Sequence, residues 1–491
     1  MTQATLTRRQ TLGSIGAALV APALMPHAAR AADVPSRAAL IDDIRIVREA
    51  LKMHPGLYRY NSPAAIEARL DALGPAFADA PDLETRYLIL SRFLATIRCG
   101  HSYCNFFNQK RAVAAALFDR PTRLPFHFRW IDGAMVVTGE GGDALPPGTR
   151  VARINGVSPR AMLKRLMPYT RADGGNDGKR VSLLEVRGDD SIEFFDIFHG
   201  LVFGAPNGGA FRIDAALPDG RDVQRTLPAL TLAQRRAQMP VDTGIKDGPI
   251  WDWTMRPDGI AVLTMPGWAL YNSKWDWESW LNARLDSLGG AKGLIIDLRD
   301  NEGGNQCGDL IFARLAEKDL PFPPTIEKIR FRRTDPAIDP YLDTWDDSFR
   351  TLGVNARDLG GGFYSSPNDG DTAVITPRGP RVTVPVAALV GPVNSSATFS
   401  FAFRARTTGI VRLFGETTGG NRRGINGGRY FFVRLPASNI EFDVPLIGYF
   451  RLTPEPDAGV DPGVRVGMTA ADIAAGRDPV MAAAAAWLAR T

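Results

Sequence analysis

Apolar positions along the chain change period twice. Between residues 36 and 98, Leu40, Ile44, Val47 and Leu51 recur at helical spacing, as do Tyr87, Leu90, Leu94 and Ile97. His54-Pro55-Gly56 ends the first of these helices. Ser62-Pro63 supplies a cap followed by proline at the first helical position, and Asp82 caps a further helix that runs into Cys99-Gly100-His101-Ser102. From about 118 to 235 the pattern becomes short strands and turns. There the run from Leu145 to Val157 reads as a strand between a Pro-Pro-Gly turn and Asn155-Gly156, with a helix over 161–166 after it. From about 248 strands and helices alternate. Strands are expected at 260–265, 294–298, 386–390, 411–415, 430–435 and 440–446, and helices at 273–288, 308–315, from 397 onward and at 479–489.

This alternation predicts an α/β core with a largely parallel sheet. The changes of pattern divide the chain into a helical segment (36–117), a β-rich segment (118–235) and an α/β core (248–491). Residues 1–31 read differently. Arg8-Arg9, a short apolar stretch through Met25 and Ala29-Arg30-Ala31 form a secretory signal of twin-arginine type, although Thr11 departs from the usual Phe. Cleavage after Ala31 would leave a mature protein outside the cytoplasm, periplasmic or secreted, with no stable membrane insertion.

Composition narrows the function classes. With 45% hydrophobic and 23% charged residues, the 491-residue chain has the make-up of a soluble globular protein. Its net charge of +5 comes with no basic run, so nucleic acid is not an expected partner. Three cysteines, Cys99, Cys104 and Cys307, form neither a disulfide framework nor a zinc pattern. The tryptophans at 275, 277 and 280 fit helix packing.

Sites in α/β sheets form beyond the carboxyl ends of strands, and two loops stand there. In Asp297-Leu298-Arg299-Asp300-Asn301-Glu302-Gly303-Gly304 the glycine pair either frees backbone N–H groups for an oxyanion or merely permits a tight turn. In Gly391-Pro392-Val393-Asn394-Ser395-Ser396-Ala397 a serine at a strand-to-helix junction is either a nucleophile at a helix N-terminus or an N-cap. A nucleophilic serine needs a base. Past the signal the histidines are His54, His101, His127 and His199. His54 lies in a helix-end turn, and His127 and His199 lie in aromatic, apolar runs that suit a core. His101 sits in a loop. The last lysine is Lys328, so no lysine follows the serine, and Asn421 fills the nearest slot where one could stand. The sequence has no Gly-x-Ser-x-Gly elbow, no His-Glu-x-x-His and no P-loop.

Together these segments resemble the tail-specific (C-terminal processing) proteases, with tricorn and the interphotoreceptor retinoid-binding modules. Cys99 to Ser102 resembles the Asp-x-His-Ser/Thr motif. Leu145 to Val157 is similar to a PDZ-like segment, and Leu294 to Gly304 resembles Ile-Asp-Leu-Arg-x-Asn-x-Gly-Gly. Leu389 to Phe401 resembles the nucleophile segment, Gly415 to Gly420 the Gly-Glu-x-Thr-x-Gly segment, and Gly459 to Pro462 the closing motif. The resemblance implies a ClpP/crotonase-like α/β protease core with an N-terminal helical domain and a PDZ-like segment. It implies Ser396 as nucleophile, with Ser395 as its rival, and His101 as general base. Ser102 would orient the imidazole with a carboxylate behind it: Glu455, or else Asp457 or Glu441. Gly303 or Gly304, with Ala397, would form the oxyanion hole. No cofactor or metal is implied, and the partner is a peptide or protein substrate. Departures are Cys99 for aspartate, Phe399 for glutamate and Gly463 for aspartate. Cys307 is expected near Cys99 or Cys104, either paired with one of them or as a free core thiol. An esterase or a non-catalytic binding module on the same fold are the competing readings.

Overall fold

The computed structural model describes residues 35–239, 248–321, 325–367 and 374–490. The signal-like segment lies outside them. The helices expected after Ser62 and Asp82 form where those caps predict, the first helix is capped by Ser36, and the helix expected over 273–288 is confined to Trp277–Asp286. Ser36, Ser62 and Asp82 accept from Ala39, Ala65 and Thr85 N–H groups at the starts of helices Arg37–Leu51, Pro63–Ala78 and Leu83–Ala95. A short helix, Arg111–Phe118, follows the His101 loop.

Residues 127–228 form a five-stranded antiparallel sheet in chain order: His127–Ile131, Ala134–Gly139, Arg150–Ile154, Ala210–Ala216 and Asp222–Pro228. Asn155 and Gly156 take positive φ (49° and 81°) in the turn after the third strand. Three helices, Pro159–Leu166, Asp177–Leu183 and Phe194–Phe203, intervene before the fourth.

The site is built on a second, six-stranded sheet. Its order is Val464–Arg465, Val411–Gly415, Val386–Val390, Gly293–Asp297, Ile260–Thr264 and Asp252–Met255, parallel throughout except for the last strand. Its central strands are apolar without alternation because both faces are covered. One face packs on helices Gly308–Leu315 and Ser396–Thr408, and the other on Pro479–Leu488 through Val480, Ala484 and Leu488. Gly293–Asp297 and Val386–Val390 are neighbours in register, Leu294 opposite Val386, so the loops leaving their carboxyl ends are adjacent.

Two expected strands belong elsewhere. Asn426–Arg434 and Glu441–Arg451 form an antiparallel hairpin in a third sheet with Thr325–Ile329 and three short strands. That sheet's Phe431, Val433, Phe442 and Val444 share one core with Leu40, Ile44, Val47 and Leu51. The helical segment and the last third of the chain are therefore packed as one body from Ser36 onward. If so, Phe442→Ala, which empties a fully buried site, costs about 3–5 kcal/mol. It should also speed hydrogen exchange in helix Arg37–Leu51 as much as in its own strand; an effect confined to the strand would mean separate cores.

Candidate active site

The two loops are stitched together by buried amides. The Asn394 carboxamide, fully buried, accepts from Gly391 N–H (2.7 Å) and donates to Leu298 O and to Asn301 O (3.0 Å). Asn301, also fully buried, donates to Met265 O (2.8 Å) and accepts from Gly303 N–H (2.9 Å). Thr398 Oγ1 donates to Asn301 O at 2.9 Å.

These bonds bring Ser396 against the glycine pair. A Cβ on Gly303, whose φ is +115°, would lie 2.9 Å from Ser396 Cβ and 2.8 Å from Ser395 O. Only glycine permits that approach. Because Gly303 N–H is taken by Asn301, Gly304 is the member of the pair whose N–H is uncommitted among the described residues. The Ala397 N–H is likewise uncommitted, as expected in the first turn of a helix. Those two donors suit an oxyanion.

The structure also separates the two serines. Ser395 precedes the helix, is buried, and donates its hydroxyl to Glu302 O at 3.0 Å. Its side chain makes no capping bond. Ser396 stands at φ +51°, a left-handed conformation that costs a non-glycine residue roughly 1–2 kcal/mol. The residue is partly exposed, and its hydroxyl has no hydrogen-bond partner among the described residues. Strain at a residue that neither caps nor packs is a mark of functional positions.

The loop that carries His101 is held by residues 171 and 173 and by its own Cys99. Gly100 N–H donates to Asp173 Oδ1 (2.9 Å), Gly100 O accepts from Arg171, and His101 N–H points to Cys99 Sγ (3.4 Å). Arg171 also reaches Glu302 Oε2 at 3.4 Å, and the buried Lys179 bridges Glu302 to Val393 O (2.9 Å). A chain of charges thus ties the His101 loop to both loops of the parallel sheet. Burial opposes ionisation of Glu302, but Lys179 and Arg171 outweigh it and hold the carboxyl down at about 2. Burial lowers the His101 pKa, against the upward pull of Asp173, and so favours neutral imidazole. The His101 Nδ1 is buried without a hydrogen-bond partner among the described residues, and no hydrogen bond joins the ring to Ser396. Catalytic hydrogen bonds often tighten only with substrate.

Three expectations about what surrounds His101 are corrected. Ser102 faces away from it. His54 Nδ1 accepts from Gly56 N–H (3.0 Å), so its Nε2–H donates to Ser102 Oγ (3.0 Å), and Ser102 in turn bonds Cys99. Glu455 is paired with Arg422 at 2.6 Å. Asp457 accepts from Gly175 N–H (2.9 Å) and Asn421 (2.7 Å), and Glu441 pairs with Arg434. The carboxylate beside His101 is Asp173, 2% exposed. One donor atom each of Cys99, His101 and Asp173 lie within 4.8 Å of one another, a set that could also hold a metal. Finally, Cys307 is not near the other cysteines. It lies in the core of the parallel sheet, Cys99 and Cys104 lie in the other core, and all three are free, buried thiols.

Outward from His101 runs a set of aromatic rings. Tyr430 lies 6.1 Å away, and Trp345, 58% exposed, lies 5.9 Å beyond it. A cavity of about 580 Å³ adjoins the Ser396 loop at Pro392 but is lined by neither Ser396 nor His101.

A strained serine beside two free amides, on loops that leave adjacent parallel strands, defines the class: a serine-type peptidase. Residues 259–428 match the model of peptidase family S41, a segment that includes both Gly303-Gly304 and Ser396 and agrees with the resemblance carried by the motifs. The fold is similar to that of mature CPAF complexed with lactacystin, with a TM-score of 0.62 and 14% identity over 92% of this chain and 97% of that one. A serine-to-alanine variant of CPAF gives a TM-score of 0.61 and 14% identity over 89% and 94%. At that identity the likeness concerns the fold. Comparison with curated proteins finds no match.

Removing the central amide tests the stitching. Asn394→Ala leaves Gly391 N–H unpaired and takes one donor each from Leu298 O and Asn301 O, at about 1–3 kcal/mol of stability. It should lower kcat by roughly 100-fold through misplacement of Ser396, read from a thermal melt and the turnover of a chromogenic peptide.

Proposed function

We propose that this chain hydrolyses peptide bonds through an acyl-enzyme on Ser396, with His101 as general base and Asp173 as the carboxylate that orients it. The observation that carries this reading is Ser396 at positive φ beside the uncommitted N–H groups of Gly304 and Ala397. The serine oxygen attacks the peptide carbonyl while the imidazole takes its proton. The oxyanion settles on the two N–H groups, and the proton passes to the leaving amine. Water then repeats the sequence to release the acid. Burial supports the histidine's part, because it keeps the base neutral at ordinary pH. Lys179 does not compete for that role: its ammonium donates to Glu302 and Val393 O. The substrate in this proposal is a peptide or protein C-terminus, met in the periplasm after export through the twin-arginine-like signal. An apolar side chain would rest against Tyr430 and Trp345, and the PDZ-like segment would add the peptide by strand pairing.

A fluorophosphonate probe tests the nucleophile. Wild-type protein should be labelled, Ser396→Ala should not, and His101→Ala should be labelled far more slowly. Labelling that persists in Ser396→Ala would sink the assignment, and an unlabelled wild type would favour a binding module.

The pH profile tests the base. Only neutral imidazole accepts the proton, and its folded-state pKa is depressed. The acid limb of kcat/KM should therefore lie below about pH 6.5, the unperturbed value, with activity lost as pH falls through the folded value. Asp173→Asn removes an influence that raises this pKa, so the limb should move further down while kcat falls by roughly 10²–10⁴-fold. An unmoved limb would remove Asp173 from the site.

A further inference from the structure

Cys99 stands where the resembled motif carries aspartate, and the structure puts its thiol beside the proposed base. Donor atoms of Cys99, His101 and Asp173 lie within 4.8 Å of one another. Ligands on one tetrahedral zinc ion, with bonds of about 2.0–2.3 Å, sit roughly 3.3–3.8 Å apart. Closing the set asks for side-chain shifts of about 1 Å, which leave the backbone in place.

Two further features point to a ligand. The His101 Nδ1 is buried without a partner. Asn426, 2% exposed, sets its Nδ2 3.3 Å from Cys99 Sγ while its Oδ1 is buried and unpartnered. Turning that carboxamide over would place an oxygen donor at the same spot. One thiolate, one imidazole and one carboxylate, with a neutral oxygen to hand, are a donor set for zinc. They do not suit magnesium or calcium, which take oxygen ligands.

We propose that Cys99, His101 and Asp173 form a site for Zn²⁺ that shuts off the peptidase by occupying its base. On binding, the Cys99 thiol gives its proton to solvent and a zinc–sulfur bond forms. With the metal on one ring nitrogen, the neutral His101 imidazole carries its proton on the other, so no lone pair is left to accept the serine proton. Arg171 and Arg59 act electrostatically on this cluster and oppose a dication. The thiolate and the Asp173 carboxylate balance the metal's charge, so the loaded site is formally neutral. This inhibition rests on the Ser396–His101 reading, whereas the binding itself does not.

Cobalt substitution on the full chain separates the two. Co²⁺ added to wild-type protein should give a near-ultraviolet thiolate-to-cobalt band and the intensified visible bands of four-coordinate cobalt, both bleached by Zn²⁺. The band should persist in the Cys104→Ser/Cys307→Ser chain, whose single thiol is Cys99, and in Ser396→Ala. It should vanish in Cys99→Ser. Asp173→Asn should bind Zn²⁺ at least about tenfold more weakly, since even outer partners of metal ligands are worth 10–100-fold. Zn²⁺ should suppress wild-type peptide hydrolysis and probe labelling, and a chelator should restore both. No band in wild type, a band that survives Cys99→Ser, or its loss in the single-thiol chain would each overturn the site. Zinc bound at Cys99 with hydrolysis undiminished would overturn the inhibition. A Cys99-dependent band in a protein that no probe labels would leave the site standing and remove the serine reading.

Discussion

The Asn394 carboxamide, wedged between two loops, is the interaction on which the site depends. It spans the gap between the ends of two parallel strands, and it can do so only because Leu294 and Val386 are in register across them. A buried amide left unpaired is costly, whereas one with all three partners satisfied locks its surroundings into a single arrangement. Asn301 repeats the device one loop away. Between them the two amides set the distance from the glycine pair to the serine. Ser396 itself contributes nothing to that scaffold.

That division of labour explains the strain. A left-handed serine is a net loss to the fold of roughly 1–2 kcal/mol. Hydrogen bonds worth about 1 kcal/mol each, made by Asn394, Asn301, Thr398 and Ser395, hold it there. Ser395 and Ser396 are adjacent and chemically identical, yet one is consumed by the scaffold and the other displayed by it. Their roles are set by which backbone carbonyl lies within reach.

The sequence made legible what is local. Caps at Ser62 and Asp82, the unbroken apolar strands of the parallel sheet, the glycine pair and the strand-to-helix serine are each specified within about ten residues. The third sheet was not legible, because the hairpin from Asn426 to Arg451 has the same apolar content as a buried parallel strand and differs only in its partner. Asp173, Arg171 and Lys179 were invisible for a related reason. They reach the site from the segment read as PDZ-like, Asp173 bonding 73 residues back and Arg171 and Lys179 more than a hundred residues forward, and nothing in their local spacing sets them apart. Glu455 looked apt because it lies in the closing part of the chain, but Arg422 is closer and holds it. Ser102 looked apt because it adjoins His101, yet neighbours in a turn face opposite ways, and His54 claims it.

The network around His101 has an economy that ties these distant parts together. Arg171 holds the carbonyl of Gly100 on one side and Glu302 on the other. Lys179 holds the same Glu302 and the carbonyl of Val393. Glu302 immediately precedes Gly303, and its own carbonyl takes the Ser395 hydroxyl. One carboxylate thus couples the His101 loop, the Gly303-Gly304 loop and the Ser396 loop. The two cations that hold Glu302 ionised also disfavour the charged form of His101, while Asp173 favours it. An imidazole poised between opposing charges of this kind is sensitive to any charge that enters beside it, whether the oxyanion of the proposed reaction or a metal ion bridging to Cys99.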